Sequence, residues 1–213
     1  MDPILGAATY ADFKAALAAS NCAKCPALCA NRHNIVVDRG RPSPVMVIGE
    51  APGENEDLQG RAFVGRGGQL FDRMMADIGI DTDRDVLIVN VLKCRPPDNR
   101  PPTPQEAANC RPFLQWQLDH VKPQVVLLLG ATAARHLVPD ADKTPMKDRV
   151  GRFFELPDRP GTLFQVHYHP AYLLRDPRKK PETAVHLKAL RTRLDDLGLL
   201  VAPIGANRGR IEG

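Results

Sequence analysis

The chain is predicted to be an α/β protein, a three-layer α/β/α sandwich around a central, mostly parallel sheet. Three observations predict it. PVMVIG, DVLIVN and PQVVLLLG are short, continuously apolar runs, the pattern of strands covered on both faces. Helical stretches alternate with them, as in parallel α/β architectures. The 213 residues, 43% hydrophobic and 25% charged, suffice for one sizeable core. One domain is expected over residues 1–200, with the Gly-rich polar stretch 201–213 an expected disordered tail.

In chain order, Thr9 to Ala19 is Ala-rich and opens on a Thr cap, which predicts a helix. A strand follows at about Val45 to Ile48, running into a Gly/Pro turn. Leu70, Phe71, Met74, Met75 and Ile78 recur at helical spacing, with Gly79 as the stop. DVLIVNVLKC gives the second strand, ending near Asn90. Thr103 to Glu106 reads T-P-Q-E, a capping box with Pro at the first helical position, and the helix it opens carries Cys110, Phe113, Leu114, Leu118 and Val121. PQVVLLLG is the third strand and ATAARHL a short helix. FFELPDRPGTLFQVHYHP reads as a hairpin delivering His167 and His169, and PETAVHLKALRTRL as the last helix.

No apolar run is long enough to span a membrane, and MDPILGAATYADF lacks the features of a secretory signal. With five cysteines this points to a reducing, cytoplasmic setting, and a monomer is expected. The net charge is +4. Arg149, Arg152, Arg159, Arg175, Arg178, Lys179 and Lys180 cluster in the last third, either as a solvated surface or as a phosphate-facing patch.

Four cysteines pair as Cys22 with Cys25, in C-x-x-C, and Cys94 with Cys110 across a Pro-rich stretch. Such thiolates suit an iron–sulfur cluster or zinc better than a disulfide framework. Cys29 reads as a small buried or free thiol. Residues 49–68, GEAPGENEDLQGRAFVGRGG, hold six glycines after a strand, yet match neither a P-loop nor a dinucleotide fingerprint. HPAYLLR, residues 169–175, follows the last strand. In parallel α/β folds ligands bind beyond the carboxyl ends of the strands, where GEAPG, Asn90 and His169 all fall.

Together, GEAPG-x2-ED-x2-G-x2-FVG, N-x3-CRPP-x-NRPP and HPAYLLR closely resemble the family 4 uracil-DNA glycosylases, from about Cys22 to Leu194. Glu50 within GEAPG favours family 4 over family 5, where an apolar residue stands there. The resemblance implies a uracil-DNA glycosylase-like fold and a 4Fe-4S cluster on Cys22, Cys25, Cys94 and Cys110, with zinc as the competing metal. It also implies a monofunctional DNA-repair hydrolase that flips uracil out of single- or double-stranded DNA and leaves an abasic site. PPDNRPPTP lacks the basic His-containing insertion of a covalent-trapping relative, so ordinary turnover is expected.

The same resemblance assigns roles. Phe63 would stack on the flipped base and Asn90 read it. His169 would donate to O2 as charge builds there. Glu50, with Asp57 next, would position water or stabilise the cationic sugar, since Ala51 stands where better-known members of the superfamily carry an Asp. Gly49, Ala51 and Gly53 would line the base pocket, Gly53 standing where a methyl-blocking Tyr is found elsewhere. Leu173 or Leu174 would wedge into the duplex and Arg175 contact phosphate. Core packing for Phe63 and the leucines, and local capping for Asn90 and His169, are the plainer alternatives. The competing function is a non-catalytic iron–sulfur DNA-binding protein that senses damage or redox state.

Overall fold

Six strands form one sheet in the order β1-β3-β2-β4-β6-β5. They are β1 (Arg39–Gly40), β2 (Val45–Gly49), β3 (Leu87–Asn90), β4 (Val125–Leu129), β5 (Phe153–Leu156) and β6 (Arg159–His167). The computed structural model describes residues 3–139 and 141–199; the expected tail at 201–213 lies outside them. The four central strands are parallel, and only the edge strands β1 and β5 run antiparallel to their neighbours. The predicted sandwich and its three apolar strands are what the chain forms.

β2, β3 and β4 are buried along their whole length, and β6 over its second half, in positions that alternate between two cores. Met46, Ile48, Leu87, Val89, Val126 and Leu128 face one side. They pack there against α1 (Tyr10–Ala18), α5 (Pro104–Val121) and α6 (Gly130–Leu137) through Phe13, Leu17, Phe113, Leu118 and Ala133. Val45, Val47, Ile88, Val125 and Leu127 face the other. Phe71 and Met75 of α4 (Arg66–Ala76) and Leu187, Leu190 and Leu194 of α8 (Lys180–Asp196) cover it. Burial on both faces is why these strands read as unbroken apolar runs. Among the described residues no helix is long and apolar enough to cross a membrane.

One strand and three α-helices, besides short 3-10 turns, lacked a local signal in the sequence. β1 is two residues long. α2 (Pro26–Asn31) starts directly after Cys25 with Pro at its first position. α3 (Glu54–Gln59) is acidic, with Asp57 its buried residue, so it has no apolar stripe to reveal it. α7 (Pro170–Arg175) stands where only a proline turn was expected. Its cap is the His169 ring, whose Nδ1 accepts from Ala171 N at 3.2 Å, an acceptor outside the usual Ser/Thr/Asp/Asn set.

One polar chain runs through the first core. Lys93 is fully buried and its Nζ donates to the Asn90 carbonyl (2.9 Å) and to Gln117 Oε1 (2.6 Å). Gln117 Nε2 donates to Tyr10 Oη (2.9 Å), and Tyr10 Oη to Asp38 Oδ2 (3.0 Å). Lys14 Nζ closes the chain on Asp38 Oδ1 at 2.7 Å. Removing one member of such a buried charged set costs about 3–5 kcal/mol, because the others lose their partner away from water. The chain therefore pins the carboxyl end of β3 to α1 and α5.

Candidate active site

The carboxyl ends of the parallel strands form one row. Gly49 pairs with Asn90 in β2–β3, and Leu129 with His167 in β4–β6. Beyond the sheet, Val91 N donates to Gly49 O and Leu92 N to Glu50 O, both at 3.0 Å, so the segments after β2 and β3 leave together. A cleft of about 490 Å³ opens there. Glu50, Ala51, Gly53, Phe63, Asn90, His169 and Arg175 all line it, so the three separate motifs meet as expected.

Asn90 sits at the floor. Its Oδ1 is buried and has no hydrogen-bond partner. A buried, unpaired carbonyl costs about 1–3 kcal/mol, so its persistence at a cleft marks a place for a donor. Gly49 makes this possible: a Cβ there would lie 2.4 Å from Asn90 Oδ1 and 2.6 Å from the Phe63 ring.

Phe63 holds a left-handed backbone (φ 55°), uncommon for an aromatic residue. Two features hold it. Gly68 lies so close that a Cβ would stand 1.9 Å from the Phe63 carbonyl oxygen. Arg39, buried, donates from Nη1 to that oxygen at 2.8 Å. Arg39 is itself fixed by Asp83 (Nε to Oδ1, 2.7 Å) and Asp72 (3.0 Å), and the Asp83 carboxyl is held at about 2, chiefly by the hydrogen bond from Arg39. The ring so placed faces His169, centroids 5.9 Å apart and tilted by 41°.

His169 leaves β6 two residues after His167 and packs against Gly130, whose φ of 89° and missing Cβ let the two segments touch. Burial, and then the nearby Arg175 cation, push its pKa down to about 4. The ring is therefore neutral at neutral pH. Because Nδ1 accepts from Ala171 N, the proton of the neutral ring belongs on Nε2. The site thus carries a neutral N–H donor.

Three carboxylates line the cleft, Glu50, Glu54 and Glu56, and two of them are held in different ways. Glu50 Oε2 accepts from the Thr132 hydroxyl of α6. Glu56 bridges the cleft wall, accepting from Gly53 N (3.1 Å) and Gly65 N (2.7 Å), and it fills the space where a Gly53 side chain would begin. Asp57, the second carboxylate expected to handle water, is fully buried and absent from the cleft lining. Its oxygens accept from His33 N (2.9 Å), His33 Nδ1 (2.8 Å) and Asn34 N (3.1 Å). Burial raises its pKa, but these hydrogen bonds outweigh that and hold it below the ordinary range. Asp57 ties α3 to residues 33–34. Leu173 is likewise in the core, fully buried, which leaves half-buried Leu174 as the apolar residue beside exposed Arg175. Thr132 and Arg39 carried no signal in the sequence, because each acts through a long-range contact; Glu56 acts locally, capping α3, but follows a Gly rather than a Ser/Thr cap that would have revealed it.

The four paired cysteines also converge. Cys22, Cys25, Cys94 and Cys110 line one small cavity with Arg32 and Asn109. Among the described residues no three Cys, His, Asp or Glu side chains are gathered to hold a metal ion; the thiols ring a space instead. Arg32 Nη1 reaches Cys94 Sγ (3.5 Å), Cys29 Sγ (3.3 Å) and the Cys22 carbonyl (2.8 Å), and Asn109 Nδ2 reaches Cys25 Sγ (3.4 Å). Burial pushes the Cys94 thiol up to about 12 and raises Cys25 and Cys110. Thiols that resist ionising on their own become thiolates when a cation binds them. Cys29 is not in the cavity wall; its Sγ donates to the Cys22 carbonyl at 3.1 Å.

Comparison with known proteins gives a consistent picture. The model of the uracil DNA glycosylase superfamily matches residues 38–192. The chain is 42% identical over 156 residues to the type-4 uracil-DNA glycosylase of Thermotoga maritima, covering 73% of this chain and 79% of that one. It is 40% identical over 167 residues to the type-4 uracil-DNA glycosylase of Archaeoglobus fulgidus (76% and 82% covered). Similarity to the type-5 uracil-DNA glycosylase of Pyrobaculum aerophilum is lower, 31% over 184 residues, covering 72% and 79%.

His169 is expected to stay neutral, with its proton on Nε2, down to about pH 5, as read by nitrogen NMR of the imidazole. Titration near pH 6.5 would contradict the buried geometry. His167, fully buried, has its pKa lowered to about 3. Both rings therefore bind protons more readily when unfolded. Stability should fall as pH drops below about 6.5, visible as a lower denaturant midpoint.

Proposed function

The chain belongs to the type-4 branch of the uracil-DNA glycosylase superfamily, and we propose that it excises uracil from single- and double-stranded DNA by hydrolysing the N-glycosidic bond. The observation that carries this is the buried, unpartnered Oδ1 of Asn90. Uracil supplies what that atom lacks, an N3–H donor, and Asn90 Nδ2 can donate to O4 in return. Phe63 offers an apolar face at the same cleft, against which the flipped base stacks.

Cleavage breaks the C1′–N1 bond, and its electron pair moves onto the uracil ring, chiefly toward O2 and N1. The neutral Nε2–H of His169 is suited to meet that charge, since a neutral donor need not give up its proton. The sugar left behind is cationic at C1′. Glu50, facing the cleft, stabilises that cation and accepts the proton of the water that adds to C1′. Glu50 then returns that proton to solvent and the departing uracil anion takes one up, so the products are uracil and an abasic strand. Arg175 and Arg66, both exposed at the cleft rim, are placed for phosphates, and Leu174 for the gap in the stack.

The cysteine cavity is read as the seat of a 4Fe-4S cluster. Four thiols and no open position make a closed, structural donor set. Four thiolates suit zinc as well as a cluster, and the likeness to the type-4 enzymes is what favours the cluster. The cluster would supply four metal–sulfur bonds tying residues 22–25 to the loop after Asn90 and to α5. The cavity is lined by none of the base-pocket residues, so the role is support.

Incubation with a uracil-containing oligonucleotide followed by alkali should cleave the strand at uracil. His169→Ala should lower the rate by about two to three orders of magnitude, as for other donors to a developing anion. Asn90→Ala should fall comparably while the duplex is still bound. No cleavage by the wild-type protein on either strand form would refute the function. Freshly purified protein should be brown, and Cys94→Ala should lower the thermal midpoint before any kinetic effect is separable. A colourless, zinc-containing protein, or a stable and fully active Cys94→Ala variant, would overturn the cluster reading.

A further inference from the structure

Glu50 is held from two directions. Its main-chain carbonyl accepts from Leu92 N at 3.0 Å, which fixes the backbone against the segment after Asn90. Its side chain has three rotatable bonds and stands half-exposed at the cleft. Among the described residues its carboxylate has one hydrogen-bond partner, the Thr132 hydroxyl, on Oε2. Thr132 is buried in the first turn of α6, which follows β4 without a loop, so the hydroxyl sits on a rigid support.

We propose that Thr132 is the positioning residue for Glu50: its hydroxyl fixes Oε2, so that Oε1 faces the cleft as the acceptor for the attacking water. A hydroxyl suits the task. Its single proton can go only to an acceptor, and donation to Oε2 leaves Oε1 free of protein donors. Within a helix a threonine is confined to two main χ1 wells, which limits where its oxygen can move. Without the bond, Glu50 would rotate toward open solvent, and the water it holds would be displaced from C1′. Loss of near-attack geometry of this kind lowers the chemical step without weakening substrate binding.

This inference rests on the reading of Glu50 as the water-facing carboxylate, and the test separates the two. Single-turnover excision from a uracil oligonucleotide is measured for Thr132→Val, Thr132→Ser, Glu50→Gln and the double variant Glu50→Gln/Thr132→Val, with DNA affinity in parallel. Thr132→Val should lose about ten- to a hundredfold in the chemical rate with DNA affinity unchanged. Thr132→Ser, which keeps the hydroxyl, should recover most of it. In the Glu50→Gln background the Val substitution should cost nothing further, because the two act as one unit. Should Thr132→Val fail to fold, Thr132→Ala against Thr132→Ser carries the same comparison. A full-rate Thr132→Val, or losses that multiply independently, would overturn the positioning role while leaving Glu50 in place. A Glu50→Gln enzyme at wild-type rate would instead refute the reading of Glu50.

Discussion

Asn90 carries two carbonyl oxygens that the protein treats in opposite ways, and much of the fold follows from that difference. The main-chain oxygen is held by the buried Lys93 ammonium, itself tied through Gln117 and Tyr10 to Asp38. The side-chain oxygen is left buried and unpaired at a cleft. A rigid backbone under an unsatisfied side chain is what specific recognition of a polar base edge demands. Under the proposed function, the cost of the unpaired atom would be recovered when uracil donates to it. A base that presents a lone pair there leaves the oxygen unpaired, and rejection by an unmet polar group discriminates more strongly than fit alone.

The surrounding packing keeps that arrangement open. Gly49 cedes the space that Asn90 Oδ1 and the Phe63 ring occupy, and Gly68 lets the chain turn under the Phe63 carbonyl. The left-handed backbone of Phe63 persists because Arg39, locked between Asp72 and Asp83, holds its oxygen from the opposite side. The cysteine cavity works on the same principle at longer range. It joins residues near the chain start to Cys94, four residues beyond Asn90, and to Cys110 on α5. The α5 start is fixed separately by the Thr103–Glu106 box, reinforced by Arg100 on Glu106. Under the proposed function, chemistry at the cleft falls to Glu50, Asn90 and His169, and the buried ion pairs and cysteine cavity behind them would set the shape.

How legible this was in the sequence depends on range. The three apolar strands, the α5 capping box and the meeting of the motifs at the strand ends follow from local pattern and from the rule for parallel sheets. Asp57 and Leu173 went the other way. Asp57 sits seven residues after Glu50 in an acidic run, and nothing local reveals that residues 33–34 hold its oxygens. Leu173 and Leu174 are adjacent and chemically alike; only the helical turn of α7 sends one into the core and leaves the other half-buried. Thr132 in GATA and Lys93 in NVLKC look like an ordinary helix residue and a surface cation. Their partners lie 82 and 24 residues away, and such contacts leave no periodic trace.

The most direct test of Asn90 as the base reader compares excision of uracil with that of N3-methyluracil from otherwise identical single-stranded oligonucleotides. The methyl group removes the N3–H donor while O2, O4 and the scissile bond remain. Uracil should be released at least about a hundredfold faster, consistent with an acceptor left unpaired in a buried site, and Asn90→Ala should erase most of that preference. Equal release of both bases by the wild-type protein would contradict the assignment of Asn90 Oδ1 to the uracil N3–H.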